Sequence, residues 1–272
     1  MEVTYIDAHC HIQFEQYDED RAVLIEKMRE QGVVGIVVGC DAESSLKAVA
    51  LAEQHGHLYA SVGLHPNHGG EQNSNWYDIS YQLLNSRNQK IVAVGECGLD
   101  YFRPVEVNEE VKAKQKELFK KHIALATEFD KPLIIHSRPS KGTMDAYHDL
   151  IEILQEAKKT NQNLRGDIHF FVGGVEEAQA LIALGFTVSF TAVITFARDY
   201  DAVIKALPLE SILAETDAPY VAPASRRGER NDSLAVVDVV AQIASIRGED
   251  PELVRIALKT NAERLFALRG SK

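Results

Sequence analysis

The sequence is poor in cysteine: Cys10, Cys40 and Cys97 are the only ones in 272 residues. They are odd in number and widely spaced, which excludes a disulfide framework and a metal knuckle and leaves reduced thiols. No apolar run approaches the roughly 18 residues that a membrane span needs, and no basic segment leads into an apolar stretch at the N-terminus. No membrane partner is expected, and the cytoplasm is the expected compartment. Positive charge is also short, since 29 Lys and Arg against 40 Asp and Glu leave a net charge of -11. That balance excludes broad coating of duplex nucleic acid through phosphate neutralisation, while a local phosphate site stays open. There is no Gly-x-Ser-x-Gly elbow and no linker or low-complexity tract. What is present in quantity is apolar residues at 45%, enough for one large core, and ten histidines, more than a core needs.

Short β-rich runs alternate with longer helical patterns. The runs fall at 4–6, 33–39, 58–64, 90–95, 132–135, 167–171, 187–190 and 211–214. Helical patterns occupy 20–31, 44–55, 76–86, 111–129, 143–159, 176–184 and 201–206, and two more follow at 234–247 and 251–268. Eight mostly apolar strands, each followed by a helix, fit parallel strands buried on both faces. The expected fold is α/β, a (β/α)8 TIM barrel in which residues 1–272 form one unit with extra C-terminal helices. An open doubly wound sheet is the rival, but no glycine-rich phosphate loop follows the first run.

Ionisable residues gather at the C-terminal ends of the predicted strands, the end where barrel loops build active sites. The first run leads into Asp7-Ala8-His9-Cys10-His11, and alternation along an extended chain predicts Asp7, His9 and His11 on one side. Glu96 follows the fourth apolar run directly, and a carboxylate buried there needs a cation. His136 and His169 close the fifth and sixth runs, and Asp217 closes the eighth in Glu215-Thr216-Asp217. His9, His11, Glu96, His136, His169 and Asp217 are more ligands than one open catalytic zinc site takes, so two divalent metal ions sharing Glu96 are expected. His65 before Pro66 and Arg138 stand at the same rim as candidate substrate contacts, and Arg226, Arg227 and Arg230 add positive charge on a rim loop. Lys112, Lys114, Lys116, Lys120 and Lys121 alternate with Glu109, Glu110 and Glu117 and are expected to form a solvated face.

With these residues the chain resembles the TatD family of metal-dependent deoxyribonucleases, within the amidohydrolase-like barrel superfamily. The resemblance covers almost the whole chain. It rests on Asp7-Ala8-His9-Cys10-His11, Gly63-Leu64-His65-Pro66, Gly95-Glu96-Cys97-Gly98-Leu99-Asp100-Tyr101, Ile135-His136-Ser137-Arg138, Glu215-Thr216-Asp217-Ala218-Pro219-Tyr220 and Asn261-Ala262-Glu263-Arg264-Leu265-Phe266. It implies a first metal on His9, His11 and Asp217, a bridging Glu96, and a second metal on His136 and His169. By the same resemblance the reaction is hydrolysis of DNA phosphodiester bonds, commonly as a 3′ to 5′ exonuclease, with Mg2+, Zn2+ or Mn2+ as cofactors. His65, Arg138 and Asn231 would face the substrate phosphate. The chain departs from the family after His169, where Phe170-Phe171-Val172-Gly173 replaces Cys-Phe-Thr-Gly and removes a hydroxyl near the second metal.

Two metals would activate the attacking water, so no protein nucleophile is needed, and Asp217 is the expected proton acceptor, with Glu215 as its rival. The expected partner is DNA, engaged over a short single-stranded or 3′-terminal footprint by a monomer. The alternative is a hydrolase of small amides, lactones or aminoacyl esters on the same barrel, since fold does not fix the bond cleaved. Many amidohydrolases bridge their metals with a modified Lys on strand four, where this chain has Glu96. A binding protein with structural metals is the third possibility, and the six filled ligand positions argue against it.

Overall fold

The structure is a computed structural model and describes residues 2–69, 75–103 and 107–268. Eight strands alternate with helices in the order β1 (Tyr5–Cys10), α1 (Arg21–Glu30), β2 (Val33–Val38), α2 (Ala42–Gln54), β3 (Leu58–Val62), α3 (Trp76–Asn85), β4 (Ile91–Asp100), α4 (Glu109–Glu128), β5 (Leu133–Arg138), α5 (Asp145–Thr160), β6 (Gly166–His169), α6 (Val175–Ala183), β7 (Thr187–Phe190), α7 (Asp201–Ala206) and β8 (Ile212–Ala214). Two further helices follow, α8 (Val236–Arg247) and α9 (Pro251–Phe266). The strands are parallel and lie in sequence order. Past β8 the chain meets β1: Cys10 bridges Ala218, the Asp217 N–H donates to the His9 carbonyl at 2.9 Å, and the His11 N–H donates to the Ala218 carbonyl at 2.7 Å. These bonds draw the ring into a (β/α)8 barrel, as the strand rhythm predicts.

All six residues of β2, Val-Val-Gly-Ile-Val-Val, are buried, because one face meets helices and the other fills the barrel. The larger apolar cluster lies between strands and helices, where Val37, Val62 and Ile135 meet Phe119, Leu150 and Leu181. The smaller one joins Ile6, Ile36, Ala93 and Leu213 to Leu265 and Phe266, so α9 covers the end of the barrel opposite the mouth. Helix α9 starts sharply because the Asp250 carboxylate accepts the Glu252 and Leu253 amides, with Pro251 in the first turn. Among the described residues no helix is long and apolar enough to cross a membrane.

Several strands run further than their apolar residues predict. β1 continues through His9, β4 through Glu96 to Asp100, and β5 through His136 to Arg138. A parallel neighbour satisfies the backbone whatever the side chain is, so the ladder carries on where the hydrophobic pattern stops. As a result His9, Glu96, His136 and His169 stand on strands and not on loops.

Candidate metal centre

Two irregularities in the sheet aim the polar side chains. The register of β4 against β5 shifts between Val94 and Cys97, and Glu96 lies within that shift. Gly95 and Gly98 have φ of 145° and 125°, and a Cβ at either would overlap the carbonyl oxygen of Ile134 or His136. The register of β1 against β2 shifts between Asp7 and Cys10, and the expected company of Asp7 with His9 and His11 is corrected by it. Asp7 instead accepts the Thr216 amide at 2.9 Å and the Thr216 hydroxyl at 2.7 Å. Burial, opposed by these bonds, pushes its carboxyl up to about 7.

His9 and His11 turn their Nε2 atoms to within 3.0 Å of each other. Glu96 Oε2 lies 3.7 and 3.8 Å from these nitrogens, and Asp217 Oδ1 lies 3.8 and 3.5 Å away. The other oxygen of Glu96 faces a second group, with Oε1 2.9 Å from His169 Nε2 and 3.1 Å from His136 Nδ1. His136 Nδ1 and His169 Nε2 are 3.3 Å apart. Ligands bound about 2.0–2.2 Å from one ion lie about 2.8–3.6 Å from each other, by the geometry of an octahedron or a tetrahedron. All three separations in the second group fall inside that window, and in the first group His9–His11 and His11–Asp217 do, while the other three exceed it by 0.1–0.2 Å. Each group thus comes close to the spacing of one ion's ligands, with one oxygen of Glu96 in each. Two nitrogens converging at 3.0 Å also need a cation or a proton between them, and this fits the pair for metal.

Further groups fix the ligands from behind. His11 Nδ1 lies 2.9 Å from the Val38 carbonyl, which leaves the lone pair on Nε2. His136 Nε2 lies 3.2 Å from Asp100 Oδ2, and Asp100 also accepts the Asn67 side-chain amide at 2.8 Å and the Phe102 amide at 2.9 Å. Glu215 is fully buried, with Oε2 3.9 Å from His9 Nδ1 and 3.7 Å from His169 Nδ1. The His9 and His169 rings stack at 3.9 Å, so this one carboxylate backs an imidazole from each group. Burial works to raise the pKa of Glu96, yet His169 and His65 hold its carboxyl well below the usual range. His169 is held well above its ordinary value, because Glu96 and Glu215 outweigh burial.

Asp217 lines the mouth cavity, whereas Glu215 does not. Glu215, the rival for the role of proton acceptor, lies beneath the imidazoles and away from that cavity. Its position was signalled in the sequence by its spacing two residues before Asp217. Asp100, missed as a functional residue, carried a weaker signal as the last charged residue of the Glu96 motif.

His65 joins the cluster, with Nε2 3.5 Å from Glu96 Oε1. Burial, opposed by Glu96, pushes its pKa down to about 3, and its Nδ1 accepts the Asn67 amide at 3.1 Å. The proton of the neutral ring therefore sits on Nε2, the nitrogen on the Glu96 side of a ring that lines the cavity. Arg138 lines the cavity with its guanidinium 4.2 Å from the centre of the Phe102 ring. Asn231 is not brought to the mouth: it is fully buried, and its side-chain NH2 donates to the carbonyls of Thr216, Tyr220 and Val221 at 3.1, 2.8 and 3.2 Å. The expected phosphate contact is replaced by a structural one, because Asn231 pins the loop that carries Asp217. Two of the rim arginines are likewise committed within the chain, Arg226 to Asp232 at 2.9 Å and Arg230 to Asp20 at 2.5 Å. Of the lysines expected on a solvated face of α4, Lys114 and Lys120 pair with Glu110 and Glu117 on the same helix, Lys112 and Lys116 reach Asp145 and Asp149 on α5, and Lys114 and Lys121 border the cavity. That cavity measures about 1410 Å³ and opens to solvent beside both ligand groups.

Comparison with known proteins supplies a context for this geometry. The family model described as TatD related DNase matches residues 6–267. A relative from Bacillus subtilis, the uncharacterized metal-dependent hydrolase YabD, is 34% identical over 96% of this chain and 98% of its own. One from Yersinia pseudotuberculosis, the 3′-5′ ssDNA/RNA exonuclease TatD, is 31% identical over 93% of this chain and 95% of its own. The crystal structure of YjjV, a TatD homolog from Escherichia coli, superposes with a TM-score of 0.86 at 30% identity, covering 99% of this chain and 100% of that one.

Proposed function

The chain belongs to the TatD related DNases and is a metal-dependent hydrolase, and on that premise we propose that it hydrolyses phosphodiester bonds in single-stranded DNA, working from the 3′ end. The observation that carries this reading is the pair of ligand groups sharing Glu96 beside a cavity of about 1410 Å³. Small-molecule sites usually measure about 300–1,000 Å³, so the space suits part of a polymer better than a small amide or lactone. The exonuclease name of the Yersinia relative supports the same substrate class. Three free buried thiols accord with a reducing cytoplasmic setting.

His9, His11, Asp217 and one oxygen of Glu96 would hold one divalent cation, and His136, His169 and the other oxygen would hold a second. Such cations, when bound, lower the pKa of water and neutralise charge on a phosphoryl group. Asp217, facing the cavity, takes the proton from the attacking water. His65 offers its Nε2–H to a phosphate oxygen, and Arg138 offers its guanidinium from the rim. Glu215 and Asp100 keep the imidazoles of His9, His169 and His136 in place and touch no substrate atom. Val172, with no hydroxyl to give, leaves that part of the wall apolar.

The test is digestion of single-stranded oligonucleotides labelled at the 5′ end with Mg2+, Mn2+ or Zn2+, beside model lactones, amides and aminoacyl esters. A ladder of shortened 5′-labelled products is expected. Hydrolysis of the small esters or amides with every oligonucleotide intact would replace this reading by the amidohydrolase one.

A further inference from the structure

Of the six large apolar side chains exposed among the described residues, four lie on the outer helices α1, α2 and α9. The other two, Phe102 and Tyr220, stand at the mouth, each 48% exposed. They follow β4 and β8, which are four strands apart in the ring and so face each other across the barrel.

Neither backbone is loose. The Tyr220 N–H donates to the Asp217 carbonyl at 2.9 Å, and its own carbonyl accepts from Asn231 Nδ2 at 2.8 Å. Its ring stands edge-on to His11, 6.5 Å between centres, and lines the main cavity with Asp217. The Phe102 N–H donates to Asp100 Oδ1 at 2.9 Å, and its ring carries the Arg138 guanidinium. Arg138 borders both the main cavity and an adjoining one of about 850 Å³, which Phe102 lines. A ring left half in water on a pinned backbone contributes nothing to the core, and it loses little freedom when something flat settles on it.

We propose that Tyr220 and the Phe102–Arg138 pair are base-stacking platforms on either side of the scissile phosphodiester, and that they confine the site to unpaired nucleotides. The proposal rests on the phosphodiester reading and specifies how that site selects its substrate. Every base has a π face, so stacking holds a strand without reading its sequence. A base pair inside a duplex has both faces covered by its neighbours and cannot use the platforms until the end frays.

The test uses a 5′-fluorescent single-stranded oligodeoxynucleotide whose 3′-terminal residue is either normal or abasic. It measures kcat/KM with metal present and binding by anisotropy in chelator, where nothing is cleaved. On the normal end, Tyr220→Ala is expected to lose about 5- to 150-fold in kcat/KM, the worth of one stacked base, with weaker binding in chelator. Tyr220→Phe keeps the ring and recovers most of that loss. The wild type on the abasic end should lose a similar factor, and Tyr220→Ala should lose no more on that end. Thermal unfolding of each variant separates a folding defect from a binding one. The proposal is overturned if Tyr220→Ala stays within about twofold of wild type on the normal end, or if it loses as much on the abasic end. A wild type that cleaves both ends equally removes the platforms and leaves the phosphodiester reading standing. A wild type that neither binds nor cleaves either oligonucleotide removes both.

Discussion

His122 gives a prediction with a sign and a size. It is fully buried on α4, stacked on Trp76 at 4.2 Å, and its Nε2 accepts the Leu64 N–H at 2.9 Å while Nδ1 lies 2.9 Å from the Leu118 carbonyl. Both ring nitrogens are used by the neutral form, and protonation would set an N–H against the Leu64 N–H. Burial pushes the pKa down from 6.5 to about 4. The unfolded chain therefore takes up a proton below about pH 6.5 and the folded one only below about pH 4, so stability falls on acidification across that window. The full effect is about 3 kcal/mol at 1.36 kcal/mol per pH unit, and about 2 kcal/mol of it arrives between pH 7 and pH 4.5. The assay is urea unfolding of wild type and His122→Gln at both pH values, each extrapolated to water. Wild type should lose about 2 kcal/mol more than the variant. Asp7, raised to about 7, acts in the opposite direction, but it is common to both proteins and cancels in the difference. Parallel losses, within about 0.5 kcal/mol, would refute the argument. Because Leu64 directly precedes His65, the same acidification should disturb the rim before it unfolds the barrel.

Asp217→Asn should lower turnover by at least about 10² to 10⁴ while leaving the fold intact. Glu215→Gln should instead weaken metal binding by about 10- to 100-fold and recover part of its activity in excess metal; the opposite pattern would return the proton-accepting role to Glu215. Elemental analysis at saturating metal should give two equivalents per chain, falling to one in His136→Ala, and an unchanged count in that variant would contradict the shared Glu96. For single-stranded DNA, three or four phosphate contacts at about -0.7 each predict a slope of log K against log salt of about -2 to -3. Arg138→Ala should flatten that slope by about 0.7, and Arg226→Ala should leave it unaltered, because Arg226 already faces Asp232. A slope steeper than about -6 would indicate an extended groove.

The barrel was legible because each strand is a nearly continuous apolar run, and such a run buried on both faces needs helices on the outside. The convergence of His9, His11, Glu96, His136, His169 and Asp217 was legible for a related reason: the C-terminal ends of such runs meet at the mouth, so polar residues placed there gather around or just beneath it, as Glu215 does. Asp7 shows where this logic stops. Alternation assumes an unbroken pleat, and the shift in β1 between Asp7 and Cys10 moves the side chain to the other face with nothing in the local residue types to announce it. Asn231, Arg226 and Arg230 fail differently. Their partners Tyr220, Asp232 and Asp20 depend on how loops meet, and an amide or a guanidinium is equally able to bind a phosphate or to tie down a neighbouring loop.

The charge balance then bears on how the site can be used. A chain of net charge -11 repels a polyanion over most of its surface. Attraction has to be concentrated where the repulsion can be overcome, and at this mouth two of the rim arginines, Arg226 and Arg230, are paired with carboxylates. On the proposed reading the binding strength left over comes from cations that the histidine and carboxylate groups would hold, from Arg138 and His65 at the phosphate, and from the faces of Tyr220 and Phe102. All act over one or two nucleotides and none extends along a duplex. An end of a single strand brings few phosphates against the acidic surface and leaves its bases free to stack, whereas an internal site on a duplex brings many phosphates and offers no open base. The phosphodiester reading therefore predicts weak binding along a duplex and action at an unpaired terminus.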